Sequence, residues 1–299
     1  MTTPTKCGYV AILGEPNVGK STLLNQLVGA KVSIVCHKVQ TTRRRLLGII
    51  MEDQTQIVFV DTPGIFEPKK ALERAMVKTA WQAAQDTDVV VVLVDASKKN
   101  QEGTEKLIDK ALQLSLPVVL VINKVDKVQR ADLLPLVERL TQGREFAKVF
   151  MISATTGSGV QDLAPYFSTL LPSSPWHYDP EQITDLPLRQ LAAEITREKI
   201  MHLVHQEIPY QLTVETEHYE NFDNGDVKIN QLILVAREGH KGILLGKKGE
   251  LIKRIREAAQ IDISQLLEAR VHLFLQIRVE PNWLDKNEHW QEMGLERDR

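Results

Sequence analysis

The stretch Gly14-Glu15-Pro16-Asn17-Val18-Gly19-Lys20-Ser21 has the spacing G-x-x-x-x-G-K-[ST], that of a phosphate-binding loop. Its flanks decide the fold. The apolar run Tyr9-Val10-Ala11-Ile12-Leu13 precedes it and Thr22-Leu23-Leu24-Asn25-Gln26-Leu27 follows it, which reads as a buried strand, a loop and a helix. Two glycines let the backbone curl so that successive N–H groups and the helix N-terminus face an anion. Lys20 then reaches the β and γ phosphates as a point charge, and Ser21 offers its hydroxyl to magnesium. Gly14, Asn17, Val18, Gly19, Lys20, Ser21 and Thr22 are the candidate nucleotide contacts of this first loop.

Outward from the loop, strand-like and helical stretches alternate. Residues 56–61, 89–95, 117–123 and 148–152 are apolar runs expected to be strands buried on both faces. Helical patterns over residues 72–84, 104–114, 132–140 and 161–170 separate them. The alternation predicts an α/β fold, a mostly parallel sheet wrapped by helices. Residues 46–51 read as a strand antiparallel to 56–60 across the turn Glu52-Asp53-Gln54-Thr55. The pattern stops at Leu171-Pro172-Ser173-Ser174-Pro175, a linker composition. A second unit follows, with a helix over residues 188–205 and strands over 211–219 and 227–236 meeting at Asn224-Gly225. A helix from Leu251, a short helical piece at 263–267 and a strand over 270–279 complete a smaller α+β domain. The expected organisation is a first domain over residues 1–172, a linker over 173–183 and a second domain over 184–299, whose polar last residues, 287–299, read as frayed.

Bulk properties narrow the function. At 299 residues the chain can bury two separate cores. A net charge of −2 excludes a globally basic nucleic-acid binder, so any basic surface must be local. The two cysteines, Cys7 and Cys36, lack metal-ligand spacing and fit a reduced, cytosolic location better than a disulfide framework. No apolar run approaches the roughly 20 residues of a membrane helix. The start, Met1-Thr2-Thr3-Pro4-Thr5-Lys6, lacks the apolar core of a signal peptide.

Further motifs fall at strand ends. Asp61-Thr62-Pro63-Gly64 follows the strand at 56–61, which puts Asp61 at the carboxyl edge of a parallel sheet, where a carboxylate can hold magnesium directly or through water. Gly64 allows a backbone N–H to approach a γ-phosphate. Asn123-Lys124-Val125-Asp126 ends another strand at the same edge. Asp126 there can accept hydrogen bonds from N1–H and N2–H₂ of guanine, donors that adenine lacks, and a site built on such bonds discriminates by ~10⁴–10⁵. Asn123 would brace the loops, and Lys124 would cover the base with its aliphatic stem. Ser153-Ala154 is placed to present a backbone N–H to guanine O6. In Gln40-Thr41-Thr42-Arg43, between the first helix and the next strand, a threonine can add its hydroxyl to magnesium when a γ-phosphate is present. Thr42 is preferred over Thr41, and Arg43-Arg44-Arg45 reads as a solvated charged face.

In the second unit, Gly246-Lys247-Lys248-Gly249 sits between Ile243-Leu244-Leu245 and a helix whose Leu251, Ile252, Ile255 and Ala259 share one face. A G-x-x-G loop at a helix start is how a KH domain clamps about four nucleotides of single-stranded RNA, the backbone against the glycines and the bases against an apolar groove. Ile243, Gly246, Lys247, Lys248, Gly249, Lys253 and Arg254 are the candidate RNA contacts. Lys253, Arg254 and Arg256 lie off the apolar face.

These motifs, in this order, resemble those of translation-factor-related GTPases, and the details are most similar to the Era family. The details are Asn17 inside the loop, Gln40-Thr41-Thr42-Arg43, Asp61-Thr62-Pro63-Gly64, Asn123-Lys124-Val125-Asp126, Ser153-Ala154-Thr155-Thr156-Gly157-Ser158-Gly159-Val160, and Arg237-Glu238-Gly239-His240-Lys241 before the Gly246–Gly249 loop. The resemblance covers nearly the whole chain. It implies a P-loop GTPase domain followed by a KH domain, and a GTP-hydrolysing switch that binds the 3′ end of small-subunit ribosomal RNA and assists small ribosomal subunit assembly. GTP and GDP, magnesium, and the small ribosomal subunit are the implied ligands and partners, for a monomer in the cytoplasm with peripheral contact at the inner face of the cell membrane. Glu15 departs from the basic residue common at its position, and an acid near phosphate is expected to weaken nucleotide binding slightly. Arg256 replaces a frequent glycine and Gln260 a frequent arginine. Ile65 stands where many GTPases carry a water-orienting glutamine, so hydrolysis is expected to be slow and to rest on Lys20, Thr42 and Gly64. Asn17 is placed to coordinate a monovalent cation, potassium, beside the phosphates. A nucleotide kinase would share the phosphate loop without needing Asn123-Lys124-Val125-Asp126. An RNA binder with a vestigial nucleotide site would not need all five motifs.

Overall fold

Val89-Val90-Val91-Val92-Leu93-Val94 contains no polar side chain, so a strand made of it can sit only in the middle of a sheet covered on both faces. At about 1.5–3 kcal/mol for each buried Val or Leu side chain, this run anchors the first core. A computed structural model of the chain, describing residues 4–36, 38, 42, 45–204, 211–281, 283, 290 and 295, shows it there. The chain divides into two units, one of Met1–Ser33, Thr42–Asp185 and Gly294–Arg299, the other of Ile34–Thr41 and Leu186–Met293.

In the first unit, β1 (Lys6–Leu13), β2 (Leu46–Glu52), β3 (Thr55–Asp61), β4 (Val89–Asp95), β5 (Val118–Asn123) and β6 (Lys148–Met151) form one sheet in the order β2-β3-β1-β4-β5-β6. Only β2 runs antiparallel, against β3. Helices α1 (Lys20–Val28), α2 (Ala71–Gln85), α3 (Glu102–Ala111) and α4 (Arg130–Thr141) lie in the connections between its strands, and α5 (Leu163–Leu170) follows β6. The parallel arrangement brings the C-terminal ends of β1, β3, β4 and β5 to one edge, where the motifs at Gly14–Ser21, Asp61–Gly64 and Asn123–Asp126 lie, with Ser153-Ala154 following the adjacent β6. The expectation of burial on both faces fails for β6, whose Lys148 and Met151 are exposed, because it is the outermost strand and has a neighbour on one side only. Val149 and Phe150 are half-buried, and Phe150 packs edge-on against Tyr166 of α5.

The segment with linker composition is tied to this first unit. Ser173 bridges Lys6. The buried amide of Gln56 accepts from the His177 and Tyr178 N–H groups at 2.9 and 3.0 Å and donates to the Tyr178 carbonyl at 2.9 Å. Further on, the Ile49 N–H donates to the Ile183 carbonyl at 2.9 Å, which covers part of the free side of edge strand β2.

The second unit comprises α6 (Leu188–Leu203), β7 (Leu212–Asn221), β8 (Val227–Val235), α7 (Glu238–Leu245), α8 (Glu250–Leu267) and β9 (Val271–Val279). β8 is central, antiparallel to β7 and parallel to β9. Residues 222–226 make the β7–β8 turn, with Gly225 at φ 85° and the Asn224 side chain accepting from the Asp226 N–H. Two helices differ from expectation. The segment before Gly246 is a helix, α7, although Gly239 and Gly242 each cost about 1 kcal/mol relative to alanine; burial of Leu244 in the core offsets this. The piece expected as a separate helix at 263–267 is the last turn and a half of α8, where Ile255, Ala259 and Ile263 form one buried stripe at intervals of four. His205, and most of the tail at 287–299, lie outside the described residues.

Candidate functional site

The phosphate loop closes with Gly19 at φ 103°, a left-handed conformation open to glycine at no steric cost. A Cβ there would also stand 2.4 Å from the Asn123 amide nitrogen. Lys20 is buried, and its Nζ donates to the Gly14 and Glu15 carbonyls, each at 3.0 Å. Burial pulls its pKa down to about 8, against the pull of Asp61 and Glu15. Asp61 is buried too, and burial raises its pKa while Lys20 and three hydroxyls oppose the shift. Those hydroxyls all reach Asp61 Oδ2, from Ser21 at 2.8 Å, Ser33 at 3.1 Å and Thr42 at 3.4 Å. Ser21 and Thr42 Oγ atoms are 3.0 Å apart. Asp61 Oδ1 is buried with no partner.

Two adjacent hydroxyls and a carboxylate with an unspent oxygen suit magnesium, which takes one or two carboxylates plus substrate phosphates rather than an all-protein cage. Among the described residues no cluster of three His, Cys, Asp or Glu offers such a cage. Ser21, Thr42 and Asp61 therefore fit the ion. Gln40, Thr41, Arg43 and Arg44 lie outside the described residues. After Asp61 the chain turns back on the loop, with the Ile65 N–H on the Gly14 carbonyl at 3.0 Å. A Cβ on Gly64 would fall 2.9–3.0 Å from Pro16, so this approach admits only glycine without a shift.

Glu15 does not act as the sequence suggests. Its carboxylate turns to the start of α3, where Oε2 meets Lys98 Nζ at 2.6 Å and accepts from Thr104 Oγ1 at 2.8 Å. A Cβ on Gly103 would stand 2.3 Å from Oε1. The charge is paired by a lysine and faces a helix N-terminus, which reduces its effect on the phosphate loop, although Lys20 still feels it.

The second half of the edge is held by Asn123. Its Nδ2 donates to the Val18 carbonyl at 2.8 Å and its Oδ1 accepts the Ala154 N–H at 2.9 Å, which ties the phosphate loop to the loop after β6. Lys124, at φ 64°, donates to the Asn17 carbonyl at 2.6 Å and to Asp95 Oδ2 at 2.5 Å. Asn17 itself, also left-handed at φ 64°, has an exposed side chain. Although burial works against it, hydrogen bonds from Lys124 and Ser97 hold the Asp95 carboxyl below its ordinary range. Asp126 is exposed in a tight turn over Val125–Lys127. The Ser153 N–H donates to the Ser158 carbonyl at 2.9 Å and the Ala154 N–H serves Asn123, so both amides expected to face a base are engaged within the chain.

Sequence reasoning passed over Asn25, Ser33 and Asp95. Asp95 carried a readable signal, since it ends an apolar strand as Asp61 and Asn123 do. Asn25 and Ser33 carried none.

In the second unit, Gly246 and Gly249 are at φ 69° and 79° and Lys248 at 55°. A Cβ on Gly246 would stand 2.7 Å from that of Leu251, whereas nothing lies near Gly249, where conformation alone favours glycine. Lys247, Lys248, Lys253 and Arg254 are exposed, as are Ile243 and Leu245, while Leu251 and Ile252 are half-buried. Cations and apolar side chains thus flank a loop that backbone can approach closely, the arrangement that binds a sugar-phosphate chain and its bases.

Comparison with known proteins gives two family matches, a 50S ribosome-binding GTPase model over residues 9–124 and a KH domain model over residues 207–284. GTPase Era of Dinoroseobacter shibae is 51% identical over 296 residues, 98% of this chain and 96% of the relative. GTPase Era of Mesorhizobium japonicum is 50% identical over 295 residues, 99% of this chain and 95% of the relative. Among solved structures, Era in complex with MgGDPNP and nucleotides 1506–1542 of 16S ribosomal RNA is similar with a TM-score of 0.91 and 39% identity, over 97% of this chain and 99% of that one. A tyrosine-to-alanine variant of Aquifex aeolicus Era bound to GDP and AlF4− gives the same TM-score, identity and coverage.

Proposed function

The chain belongs to the Era family of GTPases, and we propose that it is a GTP-hydrolysing switch that binds the 3′ region of small-subunit ribosomal RNA and assists small ribosomal subunit assembly. The observation that carries the nucleotide half is Asn123, whose one amide joins the loop that cradles phosphate to the loop that meets the base. The G-x-x-G turn with its exposed lysines and apolar neighbours supports the RNA half, as does the bound 16S ribosomal RNA of the similar Era structure.

In this reading Lys20 leaves the Gly14 and Glu15 carbonyls for the β and γ phosphates, and the loop amides hold the remaining oxygens. Magnesium, held by Ser21, Thr42 and Asp61, supplies positive charge at the transferring phosphoryl. Backbone near Thr42 and Gly64 holds the attacking water. Asp126 selects guanine, Lys124 packs on the base, and the Ser153-Ala154 loop meets O6. Ile65 orients no water, so we also propose potassium, coordinated by the exposed Asn17 side chain, as an aid to hydrolysis. Replacing potassium by sodium at fixed ionic strength should slow turnover, and equal rates would remove Asn17 from this role.

We further propose a monomeric, cytoplasmic protein organised as residues 1–172, 173–183 and 184–299, with peripheral membrane contact through basic residues facing anionic lipid. No helix among the described residues is long and apolar enough to cross a membrane. The deciding test is turnover of GTP and of ATP side by side, together with titration of a 3′-terminal small-subunit RNA fragment. GTP hydrolysis without ATP hydrolysis, and saturable RNA binding, are expected. Equal turnover of both nucleotides, or no RNA binding, would overturn the proposal.

A further inference from the structure

Asn25 lies on α1, outside every motif that reads as nucleotide-binding, yet both the oxygen and the nitrogen of its side-chain amide bond to residues of the following segment. Its Oδ1 accepts the N–H groups of Val32 and Ser33 at 3.0 and 2.9 Å, and its Nδ2 donates to the Ser33 carbonyl at 2.7 Å. Both main-chain groups of Ser33 are thereby fixed, and the residue is only 3% exposed. The remaining freedom is one side-chain torsion, and it directs Oγ to Asp61 Oδ2 at 3.1 Å.

We propose that Asn25 and Ser33 are positioning residues that hold the Asp61 carboxylate ready for the divalent cation, an inference that rests on the function proposed above. The three hydroxyls on Asp61 Oδ2 are not equivalent. Ser21 and Thr42 are themselves the candidate ligands, so their oxygens are needed by the cation. Ser33 has no such second task. It is the hydroxyl donor that stays with Oδ2 when the other two are drawn away. With Oδ2 so held, Oδ1, buried and unpartnered, remains for the ion or its water. Outer partners of this kind orient a ligating carboxylate, and their loss costs 10–100-fold in metal affinity in well-studied sites.

A purely structural role would make the same hydrogen bonds, so the test must separate the two. In the full-length protein, release of a fluorescent, non-hydrolysable GTP analogue is timed in EDTA and across a magnesium titration. The parent should release the analogue more slowly as magnesium rises. Ser33→Ala should shift the midpoint upward by roughly tenfold, with release in EDTA unchanged. Asn25→Ala should shift it the same way, and the double variant should do no more than the larger single change, because both act through one hydroxyl. An unshifted midpoint in Ser33→Ala, or acceleration that is equal with and without metal, overturns the inference while leaving the GTPase reading intact. Additive shifts in the double variant overturn the relay from Asn25 to Ser33. A parent that does not bind the GTP analogue, or whose release ignores magnesium, overturns the site reading and this inference together.

Discussion

In the proposed reading nucleotide choice rests on Asp126, an exposed carboxylate in a turn after β5 whose Val125 N–H donates to the Ile152 carbonyl. The variant Asp126→Asn should bind GTP severely more weakly and gain affinity for xanthine nucleotides. The carboxylate accepts two donors from guanine, whereas the introduced amide offers a donor that meets the carbonyl xanthine carries in place of guanine's amino group. Competition of labelled GDP by GTP and by XTP reads both effects, and unchanged GTP affinity would remove Asp126 from the base site. At this scale the sequence was most legible where chemistry imposes spacing, as at Gly14–Ser21 or Asn123–Asp126. Ser33 and Asp61 are 28 residues apart with no fixed interval between them, so only the folded chain brings them together. Glu15 could be recognised as odd but not interpreted, because its partner Lys98 lies 83 residues on.

Among the elements, β4 ends in a carboxylate that links two loops of the site. Asp95 takes Lys124 at 2.5 Å and the Ser97 hydroxyl at 2.6 Å, bonds that hold its pKa below 3.8 despite burial. A carboxylate with a lowered folded pKa binds fewer protons than in the unfolded chain, so its contribution is complete above 3.8 and disappears as pH falls through the lowered value. The melting-temperature gap between the parent and Asp95→Asn should therefore be constant near neutrality and close on acidification below about pH 4. A gap that persists at low pH would show that the ionised carboxylate is not what matters. Helices and strands were legible where the apolar pattern was long, as in β3, β4 and β5. The start of α7 was hidden because Gly239 and Gly242 read as loop until burial of Leu244 is known. The continuity of α8 was missed because the face read through Ile255 and Ala259 was not carried past Gln260 and Asp262 to Ile263. β6 misled for the opposite reason, since its apolar run shows nothing of its place at the sheet's edge.

Over the whole molecule, the two-part order could be read from the break at Leu171–Pro175, but the membership of residues 34–41 could not. That segment groups with the second unit, while Thr42, the next residue and a candidate magnesium ligand, groups with the first. There, Val35 donates its N–H to the buried Glu198 at 2.8 Å and its carbonyl meets His202 of α6 at 2.8 Å. Changing Lys247 and Lys248 together to Asp should separate RNA binding from nucleotide binding. Both lysines are exposed, and Lys248 sits at φ 55°, a conformation that Asp tolerates better than most residues, so the turn should survive. The loop would then offer two carboxylates to an RNA backbone. Affinity should collapse and its salt dependence flatten, since fewer counterions are released on binding. GTP affinity should stay at the parent value, because every nucleotide residue named above precedes Pro172. Any stimulation of hydrolysis by RNA should vanish too, since coupling requires both ligands to bias one equilibrium. RNA titrations of parent and double variant at two salt concentrations, with turnover measured in each, read all three quantities. If the variant binds single-stranded RNA as tightly as the parent, the Gly246–Gly249 loop is not the RNA clamp.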